Sequence, residues 1–227
     1  MNLKESVVFV TGSSSGIGKE TAIRFSEVGS KVVVTYNRGK ERGEEVVEEC
    51  RENSEAILVH LDVTDRDSIR NAVDKIIDEF GQIDLLINNA GVSISGLLDE
   101  MPFEDIEKQL EVNLKGLIET TKIALPHLKK GDEGKIINIS SGLGKSGSSK
   151  VSIYCATKFG VRGFTQSIAE ELSPEIGVYV VNPGMTATPM TDYKGEDPKK
   201  VAEVILKTAQ EKLGKKPGED IDVYKQI

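Results

Sequence analysis

The chain's first strong pattern reads Val7-Val8-Phe9-Val10-Thr11-Gly12-Ser13-Ser14-Ser15-Gly16-Ile17-Gly18. A continuous apolar, mostly β-branched run of this kind suits a strand buried on both faces of a parallel sheet. It runs directly into a glycine-rich turn, and the pattern opens a helix there. Glycines at a strand-to-helix turn let the backbone approach a pyrophosphate, whose charge then sits at the positive end of the helix. The spacing is G-x-x-x-G-x-G and lacks a Walker-type Gly-Lys-Ser ending, so the turn reads as the first βα connection of a dinucleotide site.

Five further apolar runs follow: Val32-Val33-Val34, Ile57-Leu58-Val59, Leu85-Leu86-Ile87, Ile136-Ile137-Asn138-Ile139 and Val178-Tyr179-Val180-Val181. Between them lie segments of helical period. Ile69, Val73, Ile76, Ile77 and Phe80 form one, and Leu114, Leu117, Ile118, Thr121 and Leu125 another. A third, around Val201, Val204, Ile205 and Thr208, follows the last clear strand. Strand and helix alternate throughout, which argues for a parallel sheet layered by helices. Nothing in the chain reads as a linker or repeat, so one domain over residues 1–227 is expected.

The end of the second strand selects the cofactor. A carboxylate there binds a free adenosine ribose, and a basic residue accepts a 2′-phosphate. This chain reads Thr35-Tyr36-Asn37-Arg38-Gly39-Lys40, without a carboxylate. NADP is therefore expected, with NAD as the alternative.

A second informative stretch begins at Ser141 and continues through a glycine- and serine-rich loop to Tyr154 and Lys158. If a helix starts near Tyr154, the i, i+4 spacing puts phenol and ammonium on one face. An ammonium beside a phenol favours the phenolate and lowers the tyrosine pKa, which makes a usable general acid or base. A serine delivered by the loop can hold the reacting oxygen against it.

Composition narrows the field. Formal net charge is −8 with signs mixed along the chain, so the basic stripe of a nucleic-acid binder is absent. Two cysteines, Cys50 and Cys155, and two histidines, His60 and His127, show no metal-ligand spacing, and no metal is expected. No apolar run is long enough to span a bilayer, and the opening residues lack the apolar core of a signal peptide. A soluble cytoplasmic protein is the expectation.

With these pieces placed, the chain resembles the short-chain dehydrogenase/reductase family over essentially its whole length. Thr11 to Gly18 matches the family's TGxxxGxG turn, and Asn88-Asn89-Ala90-Gly91 its NNAG motif. Asn113 matches the helix asparagine, Ser141, Tyr154 and Lys158 the catalytic serine and YxxxK. Pro183-Gly184, with Thr186 and Thr188, matches the segment that cradles the nicotinamide. The resemblance implies a doubly wound Rossmann-type α/β fold of three layers, a parallel sheet ordered 3-2-1-4-5-6-7 with helices on both faces.

It also implies roles. Tyr154 is the acid in carbonyl reduction and the base in alcohol oxidation. Lys158 lowers its pKa and binds the nicotinamide ribose. Ser141 holds the substrate oxygen, while strand alternation turns Ser140 elsewhere. Asn113 holds a water of a proton relay. Gly12, Ser14, Ser15, Gly16, Ile17 and Gly18 form the phosphate turn, Arg38 the 2′-phosphate contact, and Asp62 and Val63 flank the adenine. Asn89, Ala90, Gly91, Pro183, Gly184, Thr186 and Thr188 complete the cofactor contacts. The implied reaction is reversible hydride transfer between a nicotinamide and a small carbonyl or alcohol. A homo-oligomer is implied, a dimer or tetramer, with the helices around residues 103–130 and 152–173 pairing.

The chain departs from the commonest family pattern in three places. Only a short loop separates Thr188 from the next helix, which predicts an open site. Gly177 to Val181 replaces the frequent Ile-Arg-Val run, and residues 218–227 lack the usual signature of the last strand. Two other readings compete: a non-catalytic nucleotide sensor or scaffold, and a sugar-nucleotide epimerase, for which little chain remains after Pro183. Cys155 reads as an apolar filler, His127 as a helix-end residue and His60 as a packed strand residue. Tyr193 is equally consistent with solvent and with the substrate site, and Glu41 to Glu52 reads as a solvated helix face.

Overall fold

The computed structural model describes residues 2–131 and 133–227; Met1, at the head of the opening segment, and Asp132 lie outside the description. Seven parallel strands form one sheet in the order β3-β2-β1-β4-β5-β6-β7, as the resemblance implies. They are β1 (Val7–Val10), β2 (Lys31–Tyr36), β3 (Ala56–His60), β4 (Leu85–Asn88), β5 (Gly134–Ile139), β6 (Ile176–Asn182) and β7 (Asp220–Asp222). Seven α-helices connect them: α1 (Gly16–Ser26), α2 (Lys40–Arg51), α3 (Arg66–Phe80), α4 (Phe103–Leu110), α5 (Gly116–Leu128), α6 (Ser152–Glu171) and α7 (Pro198–Ala209).

The alternation of β1 explains the three layers. Successive side chains of a strand point to opposite faces. Val8 and Val10 join Ala22, Phe25, Val46, Val201 and Ile205, so α1, α2 and α7 cover that face. Val7 and Phe9 pack with Ile69, Val73, Ile76, Ala124 and Ile168, so α3, α5 and α6 cover the other. Both faces are buried, which is why β1, β4 and β6 read as unbroken apolar runs.

Chain order reverses between β1 and β4. In open parallel sheets that reversal leaves a crevice beyond the carboxyl ends of the strands, and ligands bind there. Every βα connection named above ends at this crevice.

Two local features were not expected. Between α4 and α5 the helix loosens into a π-helical turn, Glu111–Lys115, centred on Asn113. His60 is exposed rather than packed, its ring edge-on to Tyr36 at 5.3 Å. β3 is the edge strand, so only β2 flanks this residue within the sheet. Cys155 is buried and His127 lies in the last turn of α5, as read. Among the described residues no helix is long and apolar enough to cross a membrane.

Candidate active site

The crevice is a cleft of about 910 Å³. At its floor, the amides that open α1 have no intrahelical acceptors, as at any helix start. Ser15, the residue before the helix, supplies no side-chain cap, and the first turn carries no acidic residue. An anion is the natural complement. Gly12 has φ of 65°, and a Cβ there would come within 2.9 Å of the Ala90 backbone. That turn can therefore be built only from glycine. Thr35 fixes it from behind, its Oγ1 accepting from Gly12 N at 2.9 Å and donating to Val10 O at 3.0 Å.

Thr11 joins the first turn to the next strand. Its Oγ1 accepts from the amides of Asn89 at 2.9 Å and Ala90 at 3.0 Å. Asn89 Nδ2 returns the contact by donating to the carbonyls of Thr11 and Gly12. Gly18 does not line the cleft. It packs behind the turn, where a Cβ would strike the Asn89 amide and the Gly12 carbonyl.

The wall beyond β2 and β3 holds Asn37, Arg38, Asp62 and Val63. Burial alone would raise the Asp62 pKa, but hydrogen bonds from Thr64 and Asn37 and the neighbouring His60 hold it below the usual value. Arg42 also lines this wall, its guanidinium lying against Gly39, whose φ is 75°. Sequence reading missed Arg42 because it sits in a segment read as a solvated helix face. The signal was its place one helical turn after Arg38. A dinucleotide fits this cleft, with its uncapped helix start, a backbone that only glycine permits, and two guanidinium groups beyond β2.

On the opposite wall, Ser141, Tyr154, Lys158, Pro183, Gly184, Thr186 and Thr188 come together. Val151 precedes α6, so Tyr154 and Lys158 fall in its first turns on one face. Ser141 Oγ accepts from Leu143 N at 3.1 Å, and its hydroxyl pulls the neighbouring Tyr154 phenol toward a lower pKa. Ser140 turns away as expected, donating to the Lys158 carbonyl at 2.8 Å.

The Lys158 ammonium departs from its expected part. It is buried, donates to Ile139 O at 2.9 Å, and lies 5.6 Å from the centre of the Tyr154 ring. Burial lowers its own pKa to about 8. Burial likewise raises the Tyr154 pKa above its ordinary value, with the Ser141 hydroxyl opposing and Cys155 adding to it. The expected lowering of the phenol by the ammonium is therefore not what this geometry gives. Spacing places the ammonium on the right face, but its hydrogen bond goes to the strand.

Asn113 does not line the cleft either. Its Oδ1 accepts from Val92 N at 2.7 Å, and its Nδ2 donates to Val92 O at 2.8 Å and Thr157 Oγ1 at 3.2 Å. Both amide hydrogens are committed to protein atoms. The side chain thus clamps the segment after Gly91 to α6.

The loop after Thr188 is short and folds on itself through a 3-10 turn, Pro189–Thr191, and a bridge between Thr186 and Glu196. Tyr154 keeps some exposure to solvent, and Met190, which lines the cleft, is exposed, as are Met185 and Tyr193 nearby in the chain.

Residues 6–199 match the family model for the short chain dehydrogenases. The chain belongs to the short-chain dehydrogenase family. It is accordingly an NAD(P)-dependent oxidoreductase, which sets aside the sensor reading. Among curated proteins it is 35% identical to the 3-oxoacyl-acyl-carrier-protein reductase FabG of Thermotoga maritima, over 98% of each chain. It is 38% identical to the 3-oxoacyl-acyl-carrier-protein reductase of Synechocystis, over 86% of this chain and 80% of the relative. A short-chain dehydrogenase from Burkholderia cenocepacia, solved with NADP, superposes with a TM-score of 0.88 at 30% identity, covering 98% of this chain and 97% of that one. A dehydrogenase/reductase from Sinorhizobium meliloti gives a TM-score of 0.91 at 28% identity over 97% and 95%.

Proposed function

We propose that this short-chain dehydrogenase reduces a small ketone or aldehyde at the expense of NADPH. It would do so as a single domain, in the cytoplasm and as a homo-oligomer. The observation that carries the reading is the meeting of the Ser141 hydroxyl, the Tyr154 phenol and the Lys158 ammonium beside a glycine turn built for a pyrophosphate. The NADP bound to the Burkholderia relative supports the cofactor, as do Arg38 and Arg42 beyond β2.

When bound, the nicotinamide supplies the hydride that reduces the carbonyl carbon. The α1 amides would hold its pyrophosphate, Asp62 and Val63 its adenine side, and Arg38 and Arg42 its 2′-phosphate. Pro183, Gly184, Thr186 and Thr188 would hold the nicotinamide end. Ser141 and Tyr154 hold the substrate oxygen with two hydroxyl donors, where negative charge develops. The phenol proton moves from Tyr154 Oη to that oxygen. A pKa raised by burial keeps Tyr154 protonated at neutral pH, which suits the reductive direction. Lys158 keeps its charge below about pH 8, close beneath the phenol, and opposes the charge left on it. Asn113 keeps the segment after Gly91 against α6.

A homo-oligomer is supported by apolar side chains left bare on the helices that carry the site. Phe103, Leu110 and Phe159 are 79%, 41% and 43% exposed, and Leu114 and Ile118 border the same surface. The relatives' 3-oxoacyl thioesters are the first substrates to test. NADPH oxidation across a carbonyl panel that includes a 3-oxoacyl thioester checks the reading. Turnover with at least one member is expected; tight NADPH binding without turnover on any would contradict it.

A further inference from the structure

The shortest strand of the sheet, β7, reads Asp-Ile-Asp, and its aspartates reach Arg162 on α6 and Lys145 after Ser141. Asp222 is only 4% exposed, yet it pairs with both Lys145 and Lys225. Its two oxygens each accept from Lys145 Nζ at 2.9 Å. Lys225 approaches Oδ2 at 2.8 Å, and Tyr224 donates to it at 3.3 Å. Asp220 takes a two-pronged contact from Arg162, Nε to Oδ1 at 2.7 Å and Nη2 to Oδ2 at 2.5 Å. The Asn182 side chain links the pair, donating to Asp220 at 2.9 Å and Asp222 at 3.3 Å.

The basic partners are not arbitrary. Lys145 ends the turn that starts at Ser141. Arg162 stands four residues after Lys158 and eight after Tyr154, on the same stripe of α6. Its third nitrogen, Nη1, donates to Gly144 O at 2.7 Å, so one guanidinium joins α6, β7 and the serine turn. Asn182 immediately precedes Pro183, whose carbonyl accepts from Gly142 N at 2.8 Å. The residues after Lys145 are exposed as far as Lys150, whose carbonyl accepts from Gly96 N. The acidic pair is thus the fixed point to which three reacting segments are tied: the serine turn, the tyrosine helix and the cofactor segment after β6.

We propose that Asp220 and Asp222 are positioning residues for carbonyl reduction, holding Ser141 against Tyr154 through Arg162 and Lys145. This rests on the reductase reading above. A group that stabilises developing charge loses most of its effect when displaced by about an ångström. A turn of five residues tied at its last residue by an ion pair is a place where such a displacement arises. Nearby charges and hydrogen bonds hold the Asp222 carboxyl down to about 2 against the effect of burial, so the tie persists across the working pH range.

The test uses Asp222→Asn, Lys145→Met and the exchange Lys145→Asp/Asp222→Lys in the full chain. Hydrogen exchange of residues 141–150, NADPH affinity by fluorescence, and kcat and KM for a turned-over carbonyl are measured. Lys145→Met leaves β7 untouched and keeps the experiment decisive if the aspartate variant does not fold. The expected result is faster exchange confined to residues 141–150 and a fall in kcat of about tenfold or more. NADPH affinity should stay unchanged, and the charge exchange should recover part of the loss. Unchanged exchange in residues 141–150 for Lys145→Met would overturn the proposal, whether or not a substrate is known. So would faster exchange with unaltered kcat, or a loss shared equally by NADPH affinity and global stability. Failure of the wild-type protein to reduce any carbonyl would count against the reductase reading, and the exchange data would still decide whether the tie exists.

Discussion

The Lys158 ammonium gives its hydrogen bond to the carbonyl of Ile139 and lies 5.6 Å from the centre of the Tyr154 ring. It is a charge buried beneath the phenol with one neutral partner. Moving its pKa from 10.5 to about 8 corresponds to about 3 kcal/mol of differential cost for the charged form. Between pH 8 and 10.5 the unfolded chain holds the lysine proton and the folded one has released it, so this group's contribution to stability rises with pH over that window. Lys158→Met should therefore be more stable than wild type at pH 7, with the advantage shrinking as pH rises through 8 to 10.5. Denaturant melts of both proteins without cofactor, at pH 7 and near pH 10, check this. A pH-independent difference would show that the ammonium is not held as described.

Asn113 satisfies both the amide and the carbonyl of Val92 from inside the π-helical turn. Asn113→Ala leaves those groups without their partner, at a cost of about 2–4 kcal/mol. Thermal or denaturant unfolding measures the loss, and exchange of the Val92 amide should accelerate. Exchange at Val92 that is no faster than in wild type would contradict the clamp.

Arg38 and Arg42 approach the cleft beyond β2, and the turn Asn37-Arg38-Gly39 carries no carboxylate. Arg38→Asp places a negative charge where a 2′-phosphate would sit. The ratio of NADPH to NADH affinity should fall on the order of 100-fold. Fluorescence titration with each cofactor reads it directly, and an unchanged ratio would remove Arg38 from the phosphate site.

The bare apolar side chains on α4 and α6 predict self-association. Leu110 and Phe159 are partly exposed, so charges there should leave the fold intact. Leu110→Glu/Phe159→Glu should sediment as a monomer where the wild type does not. A wild type that sediments as a monomer would end the proposal of a homo-oligomer.

Much of this was legible in the chain because a parallel sheet covered on both sides writes its strands as apolar runs. β1, β4, β5 and β6 stand out for that reason, and the turns after them carry the glycines, serine and proline of the site. β7 could not be read the same way. Its three residues place one apolar side chain, Ile221, between two aspartates, and its hydrogen-bonded partner β6 specifies it more than its own composition does. The π-helical turn at Asn113 leaves no mark on a periodicity measured over a longer window. Helical spacing placed Tyr154 and Lys158 on one face but could not say which acceptor the ammonium would choose. Ile139, nineteen residues back, is a tertiary answer. Arg42 was hidden by its company, a run of charged residues whose other members do face solvent.

In the proposed reduction Tyr154 gives the proton. Tyr154→Phe keeps the ring, and with it the ammonium's packing, but removes the hydroxyl. The decisive measurement is its turnover on a carbonyl that the wild type reduces, with NADPH affinity measured on the same preparation. Turnover should fall by at least about a hundredfold while NADPH binds as before. Undiminished turnover would contradict the assignment.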